Sequence, residues 1–481
     1  MLRNYLVTSW RSLLRNRVFS FINIAGLTIG LAVGGLIYLY VSFEKSYDRF
    51  NANKDRLYRV SVTYASTGET GMEITPMAVN NPAVGPALEA DFPEVEAATR
   101  LVRTSLVMST LTLSYYGKEQ DAVTFNEENI YLADPTFLGI FSYPVKEGAA
   151  IDALNKPQSI VLTKKLAAKY FGDESAVGKV MHINGQKDLT VTAVLDDVAA
   201  NSHLQFDALI SMNTLGEKWQ YDNWTWPEFY TYILLQPGSD PKVLDAKLPA
   251  FARKYMERIM ADYALRVSFE LQPVTDIHLK SDYRYEQSVN GDERTIKFLI
   301  LLAVFVLSIA WINYVNLSTA RSISRAKEVG LRKLAGASRS QLITQFFFDA
   351  FMVNAVALIL AVVILALTIP LFESLTGNEM LRAVLVSGFA QSITTWLVVA
   401  GVMVSCTLLT GLYPALIMSV FDPARCSKEY STVRHRQLSS GDHWFPFNIF
   451  CRHSSLEVRL LFIDNSPSCE TKTWAMRKSK W

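Results

Sequence analysis

Four stretches of this chain run without a charged residue for long enough to cross a bilayer, which takes about 20 apolar residues. Arg17 and Glu44 enclose 26 uncharged residues, Lys297 and Arg321 enclose 23, Asp349 and Glu373 enclose 23, and Arg382 and Asp422 enclose 39. The last exceeds what one tilted helix needs, so part of it is expected to connect or to lie at the interface. A buried core helix is the alternative for any one stretch. Four at spanning length predict membrane helices. Residues 44–297 change character, with short β-type runs at Leu57–Val62, Ser159–Leu162, Leu189–Val194 and Phe229–Leu235. Helical patterns alternate with them at about Asn80–Asp91, Lys164–Phe171 and Pro241–Met260. Turn signals (Asn184-Gly185, Pro237-Gly238, Asn290-Gly291) separate these runs.

Charge gives the spans a direction. Residues 44–297 hold 35 acidic and 26 basic side chains, whereas the rest of the chain holds 10 and 21. Cytoplasmic loops near spans are enriched in Lys and Arg. Arg3, Arg11, Arg15 and Arg17 precede the first span, and Arg321, Arg325, Lys327, Arg332, Lys333 and Arg339 follow the second. All four spans then fit one alternation, with the N-terminus and residues 321–349 inside and residues 44–297 outside. The expected fold is an α-helical membrane protein of four transmembrane helices with a large α+β extracytoplasmic domain between helices 1 and 2. A positive mean hydropathy of +0.15 agrees with lipid exposure. A cleaved signal peptide is the competing reading of residues 1–43, but an h-region is normally 7–15 residues, and a 26-residue stretch favours an uncleaved anchor. Gly26, Gly30 and Gly34 place small residues on one face of that anchor, where helices approach closely in lipid.

The external part offers little chemistry. Gly172 to Lys179 departs from a phosphate loop by one residue in spacing and by Val180 where the loop needs Ser or Thr, so it reads as a turn. His182, His203 and His278 have no zincin spacing. Asp276 with His278, or His203 with Asp207, could ligate a metal, but a surface or capping role is the expectation. No G-x-S-x-G motif occurs. Trp224, Trp226, Phe229 and Tyr230 are either an aromatic core or a binding surface. All four cysteines (Cys406, Cys426, Cys451, Cys469) lie outside residues 44–297, which excludes a disulfide framework there.

The most informative segment follows the second span. Arg325, Glu328 and Arg332 stand at i−3, i and i+4 on a basic helix. Gly336 is placed to stop that helix, and Ser338 with Gln341 forms a capping box for the next. Val329, Leu331 and Leu334 offer an apolar ridge among the cations. The prediction is a helical elbow just inside the membrane, docking a partner. A solvated basic loop meeting lipid headgroups is the alternative.

That elbow, SRAKEVGLRKLAGASR at 324–339, resembles the signature of the FtsX/MacB-like ABC-transporter permeases. So do INYVNLSTAR at 312–321, RNRVFSFINIAGLTIG at 15–30 and TGLYPA at 410–415. YFG at 170–172, NSHL at 201–204 and DIHL at 276–279 resemble the family's MacB-like periplasmic core domain. The resemblance implies a non-catalytic permease in the bacterial inner membrane that binds a cytoplasmic ABC ATPase subunit through the elbow. It also implies pairing with a second permease copy and mechanical transmission to the periplasmic domain, for export or efflux. Arg325, Lys327, Glu328, Arg332 and Lys333 would contact the ATPase, and Gly330 and Gly336 would shape the elbow. No cofactor, metal or nucleic acid is implied. The expected divisions are 1–43 (N-terminus and first helix), 44–297 (periplasmic domain), 298–424 (permease domain, elbow 321–340) and 425–481. The last, an atypical tail, stops resembling the family and is expected to be disordered or frame-altered. Its Cys426, Cys451 and histidines match no standard zinc spacing. A membrane-anchored receptor without an ATPase is the rival reading, and a hydrolase on an anchor a third.

Overall fold

The computed structural model describes residues 2–15, 17–66, 76–107, 111–117, 122–185, 187–216, 223–334, 336–376 and 393–420. Helix α1 (Leu2–Arg15) leads into α2 (Arg17–Glu44), the first of four helices long and apolar enough to cross a membrane. The others are α10 (Glu293–Leu334), α11 (Arg339–Thr376) and α12 (Ile393–Val420). The N-terminal helix α1 was not anticipated from the sequence. Part of the 39-residue stretch, residues 383–392, lies outside the described residues, as do residues 421–481.

The bundle is organised around α2. A Cβ on Gly30 would meet the Ala310 Cβ at 2.8 Å, one on Gly26 would meet Asn313 Nδ2 at 3.4 Å, and one on Gly34 would meet Leu307 Cγ at 3.4 Å. These pairings run in opposite senses, so α2 and α10 are antiparallel. Gly35 brings α2 equally close to Leu365 on α11, and the Thr28 hydroxyl donates to the Ala357 carbonyl. Polar groups bind the remaining helices. Asn354 Nδ2 donates to the Thr410 hydroxyl, which donates to the Cys406 carbonyl, and Trp311 Nε1 donates to Cys406 Sγ. Outward, α10 presents Phe298, Leu301, Val304, Phe305 and Ile309, an apolar surface of the kind lipid covers.

Between α2 and α10 lies one continuous sheet with 12 strands among the described residues. In chain order these are β1 (Leu57–Ser66), β2 (Val95–Arg103), β3 (Thr112–Tyr116), β4 (Ala122–Asn126), β5 (Ile130–Ala133), β6 (Val145–Gly148) and β7 (Ser159–Thr163). After them come β8 (Val180–Ile183), β9 (Lys187–Leu195), β10 (Ala208–Ser211), β11 (Tyr230–Leu235) and β12 (Leu265–Pro273). Their spatial order is β12-β1-β11-β2-β5-β10-β7-β9-β8-β3-β4, with β6 beside β9. The pairs β5–β10 and β7–β9 are parallel and the others antiparallel. Side chains alternate across a strand, and this sheet uses both faces. Tyr131, Val161 and Leu209 enter one core, while Ile130, Leu132, Ile160, Leu162, Ala208 and Ile210 enter the other. That explains why the central strands read as unbroken apolar runs.

Short helices cover this sheet. α3 (Val84–Asp91) is shorter than its apolar pattern suggested and begins two residues after Pro82. α4 (Thr104–Val107) and α5 (Phe137–Ile140) are single turns. α6 (Lys164–Phe171) is capped by the Thr163 hydroxyl, which accepts from the Leu166 amide. The pattern over 241–260 divides into α7 (Pro241–Asp245) and α8 (Leu248–Asp262), and Pro249 in the first turn of α8 sets the break. The aromatic group resolves to core: Phe229 and Tyr230 are buried, Trp224 stacks on Tyr255 at 4.6 Å, and Trp226 meets Phe229 edge-on.

Candidate functional site

Two places join separate parts of the fold: the joint between α2 and the sheet domain, and the elbow between α10 and α11. The joint begins where α2 ends. The Ser46 amide and hydroxyl both donate to the Phe43 carbonyl, turning the chain, and Asp48 adopts a left-handed φ of 58°. Such a φ is uncommon outside glycine and costs free energy that surrounding contacts must cover. Here they do. The Asp48 amide donates to the Asn201 carbonyl, Asn201 Nδ2 donates to the Ser46 carbonyl and hydroxyl, and the Asp48 carboxylate accepts from the His203 amide.

His203 and His278 were expected at the surface or at helix caps; both are buried instead. His203 Nδ1 lies 2.8 Å from Asp48 Oδ1, a close contact not aligned as a hydrogen bond, with the two side chains 2% and 1% exposed. Its Nε2 meets the Tyr232 hydroxyl at 2.8 Å. The pair His203 with Asp207, considered from spacing, is not what forms. His278 stands on α9 (Ile277–Lys280), and its Nε2 lies 2.7 Å from Glu44 Oε2 at the last residue of α2. The Tyr47 ring stacks flat on His278 with centroids 3.3 Å apart. Burial, with Glu44 and Asp48 adding repulsion, pushes the Tyr47 hydroxyl pKa up to about 12. Sequence reasoning missed both pairs because the partners lie 155 and 234 residues away along the chain. His182, by contrast, is partly exposed and pairs with Asp188 across β8 and β9. Among the described residues no group of three or more His, Cys, Asp or Glu side chains is arranged to hold a metal ion.

Asp48, His203 and Tyr232 resemble an acid–base relay in order. All three side chains are buried, which fits a structural role. Burial also holds the Tyr232 hydroxyl pKa well above its ordinary value.

The segment returning to α10 is fastened as firmly. Arg59 on β1 grips Glu286 through two hydrogen bonds of 2.6 and 2.7 Å, and also donates to Gln272 and Ser281. Burial would lower the Arg59 pKa, but the Glu286 pair outweighs it and holds the guanidinium above its usual value. Tyr230 donates to the Tyr285 carbonyl, where φ is 63°, and Arg103 donates to the Gln287 carbonyl. Gly291 then crosses directly over the Glu44–His278 pair. A Cβ there would come within 2.7 Å of Glu44 Oε2 and 3.1 Å of His278 Nε2.

At the elbow, α10 continues past its apolar span to Leu334, and Gly336 follows with φ 90°. Only glycine takes that conformation cheaply. The capping box forms in both directions: Gln341 N–H donates to Ser338 Oγ, and Ser338 N–H donates to Gln341 Oε1. One part of the expected ridge is corrected. Val329 is buried against Leu342 and Phe346, closing the elbow on itself rather than offering itself outward. Gly330 is half-buried and Gly336 exposed. The side chains of Arg325, Lys327, Glu328, Leu331, Arg332, Lys333 and Leu334 lie outside the described residues.

The MacB-like periplasmic core domain matches residues 20–251, and the FtsX-like permease C-terminal domain matches residues 300–423. The elbow falls inside the second match, whereas His278 and Gly291 fall between the two. The macrolide export ATP-binding/permease protein MacB of Pasteurella multocida (strain Pm70) is 24% identical over 224 residues, 45% of this chain and 31% of that protein. The match therefore spans about a third of that relative's length. A domain of a permease-type protein from Porphyromonas gingivalis is similar at 24% identity with a TM-score of 0.40, over 46% of this chain and 91% of that one. The periplasmic region of MacB from Actinobacillus actinomycetemcomitans is similar at 13% identity with a TM-score of 0.31, over 46% and 90%.

Proposed function

We propose, from the premise that this chain belongs to the FtsX/MacB-like permeases of ABC transporters, that it is the permease subunit through which a separate cytoplasmic ATPase moves an external domain. The observation that carries the reading is the elbow. One unbroken helix of 42 residues passes from the outer joint through the apolar span into a basic segment. It ends at a glycine with positive φ, and a capping box starts the next span. A force applied to such an elbow reaches two spans at once. Arg325, Lys327, Glu328, Arg332 and Lys333 would meet the ATPase, with Gly330 and Gly336 setting the bend. Gly26, Gly30 and Gly34 hold α2 against α10 so that the bundle moves as packed helices.

In this reading the chain sits in the bacterial inner membrane with four spans, its N-terminus cytoplasmic and residues 44–297 periplasmic. The basic flanks and acidic middle of the chain support that orientation. A second permease copy completes the assembly. Cargo of the macrolide, peptide or lipoprotein type is exported, or driven, by motion of the external domain. The test is affinity purification from native membranes with identification of co-eluting chains. An ABC ATPase is expected with the unaltered protein and not with Glu328→Leu/Arg332→Leu. If the complex survives that double change, the docking assignment is wrong. If no ATPase accompanies the unaltered chain, the receptor reading takes its place.

A further inference from the structure

The two short motifs of the external domain, NSHL at 201–204 and DIHL at 276–279, converge on the same few residues. Each sends a histidine to a carboxylate in the turn that ends α2: His278 to Glu44 at 2.7 Å and His203 to Asp48 at 2.8 Å. All four side chains are at least nine-tenths buried. Tyr47 covers one face of His278, Gly291 crosses over the Glu44–His278 pair, and Tyr232 and Ser202 enclose the second pair. Asp48 and Tyr285, in the segments entering and leaving the domain, both hold left-handed backbone.

A buried polar pair gains little over apolar packing of the same volume, because desolvation offsets its attraction. What it adds is direction. Apolar surfaces slide, whereas the His278–Glu44 hydrogen bond and the His203 amide's bond to the Asp48 carboxylate each fix an angle. We propose that Glu44–His278 and Asp48–His203 are two pins that lock the external domain to α2 as one rigid lever. With the Gly291 crossing, the outer end of α10 is locked to the same point. The purpose of the lever rests on the coupling reading above; the rigidity itself does not. These are positioning residues, acting on the domain through the helix they hold.

The test uses the full chain in lipid nanodiscs, without nucleotide or any other protein. Spin labels on a ketone-bearing amino acid replace Val18, on α2, and Ile151, in the domain, 75% and 86% exposed. Labelled chain is diluted into unlabelled chain. The unaltered protein should give one narrow distance. Glu44→Ala and His278→Ala should lose that narrow population while amide protection of β1 and β11 persists, which a purely fold-stabilising role would not produce. The inverted pair Glu44→His/His278→Glu should recover the narrow distance. A distance that stays narrow in Glu44→Ala overturns the proposal. If Glu44→Ala loses strand protection, Gly291→Ala, which keeps both side chains and wedges them apart, decides by the same two criteria. Absence of an ATPase in the purification would remove the lever's engine and leave this result standing.

Discussion

Asp292 is the last residue before α10, and its carboxylate accepts from the amides of Arg294 and Thr295 and from the Thr295 hydroxyl. Those donors, led by the Arg294 amide, hold its pKa below the ordinary 3.8. The sign follows from linkage. A carboxylate whose folded pKa is depressed contributes its capping fully above the unfolded value and loses it as pH falls through the lower, folded value. Amide protection factors at Arg294 and Thr295 should therefore hold steady above about pH 4 and fall on further acidification. Asp292→Asn caps a helix comparably without titrating, so it should remove that acid dependence. Asp292→Ala should lower protection at every pH. At this scale one local pairing was legible in the sequence, Ser338 with Gln341; the caps at Thr163 and Asp292 are equally local and were not read. His203, His278 and Arg59 were unreadable, because each is defined by partners brought together only when the sheet closes.

The helices show the reverse, since spans and caps follow from local pattern and need no distant partner. Their packing also turns on single positions. On α2 the clearance at Gly30 is the smallest of the three-glycine face, with an added Cβ 2.8 Å from Ala310 Cβ against 3.4 Å to the nearest atoms at Gly26 and Gly34. Both atoms at Gly30 are rigid Cβ carbons, so neither can rotate away. Gly30→Ala should destabilise the detergent-solubilised chain by about 1–3 kcal/mol, the usual cost of overpacking. Gly26→Ala and Gly34→Ala should cost less, because a side-chain end can yield there. Ala310→Gly in the Gly30→Ala background should restore the melting temperature, and failure of that rescue would break the claimed pairing. Of the strands buried at every position, β7 and β11 were legible, whereas β5 and β10, four residues each, were too short to read. The two edge strands were missed as well, because β4 is mostly exposed and β12 buries only scattered positions, so neither carries a continuous apolar signal.

The whole molecule adds a constraint that no single element contains. Gly26–Asn313, Gly30–Ala310 and Gly34–Leu307 make α2 and α10 antiparallel, while Thr28–Ala357 and Gly35–Leu365 make α2 and α11 parallel. Glu44 and Glu293 therefore share one end of the bundle with the sheet domain, and the α10–α11 turn at Ser338 lies at the other end. The apolar span of α10 alone covers 26 residues, roughly 39 Å at 1.5 Å per residue and enough for a bilayer. The expectation is checked with a membrane-impermeant thiol reagent on chains carrying Cys426→Ser, Cys451→Ser and Cys469→Ser. Cys406 stays, being 1% exposed among the helices. Ile151→Cys should react on intact spheroplasts, whereas Ser338→Cys should react only after the membrane is opened. Both positions are exposed, so failure to react reports sidedness rather than burial. Equal labelling from one side would mean that the bundle does not enclose a bilayer. An engine at the elbow and a domain at the joint would then share a compartment, and no lever between them would be needed.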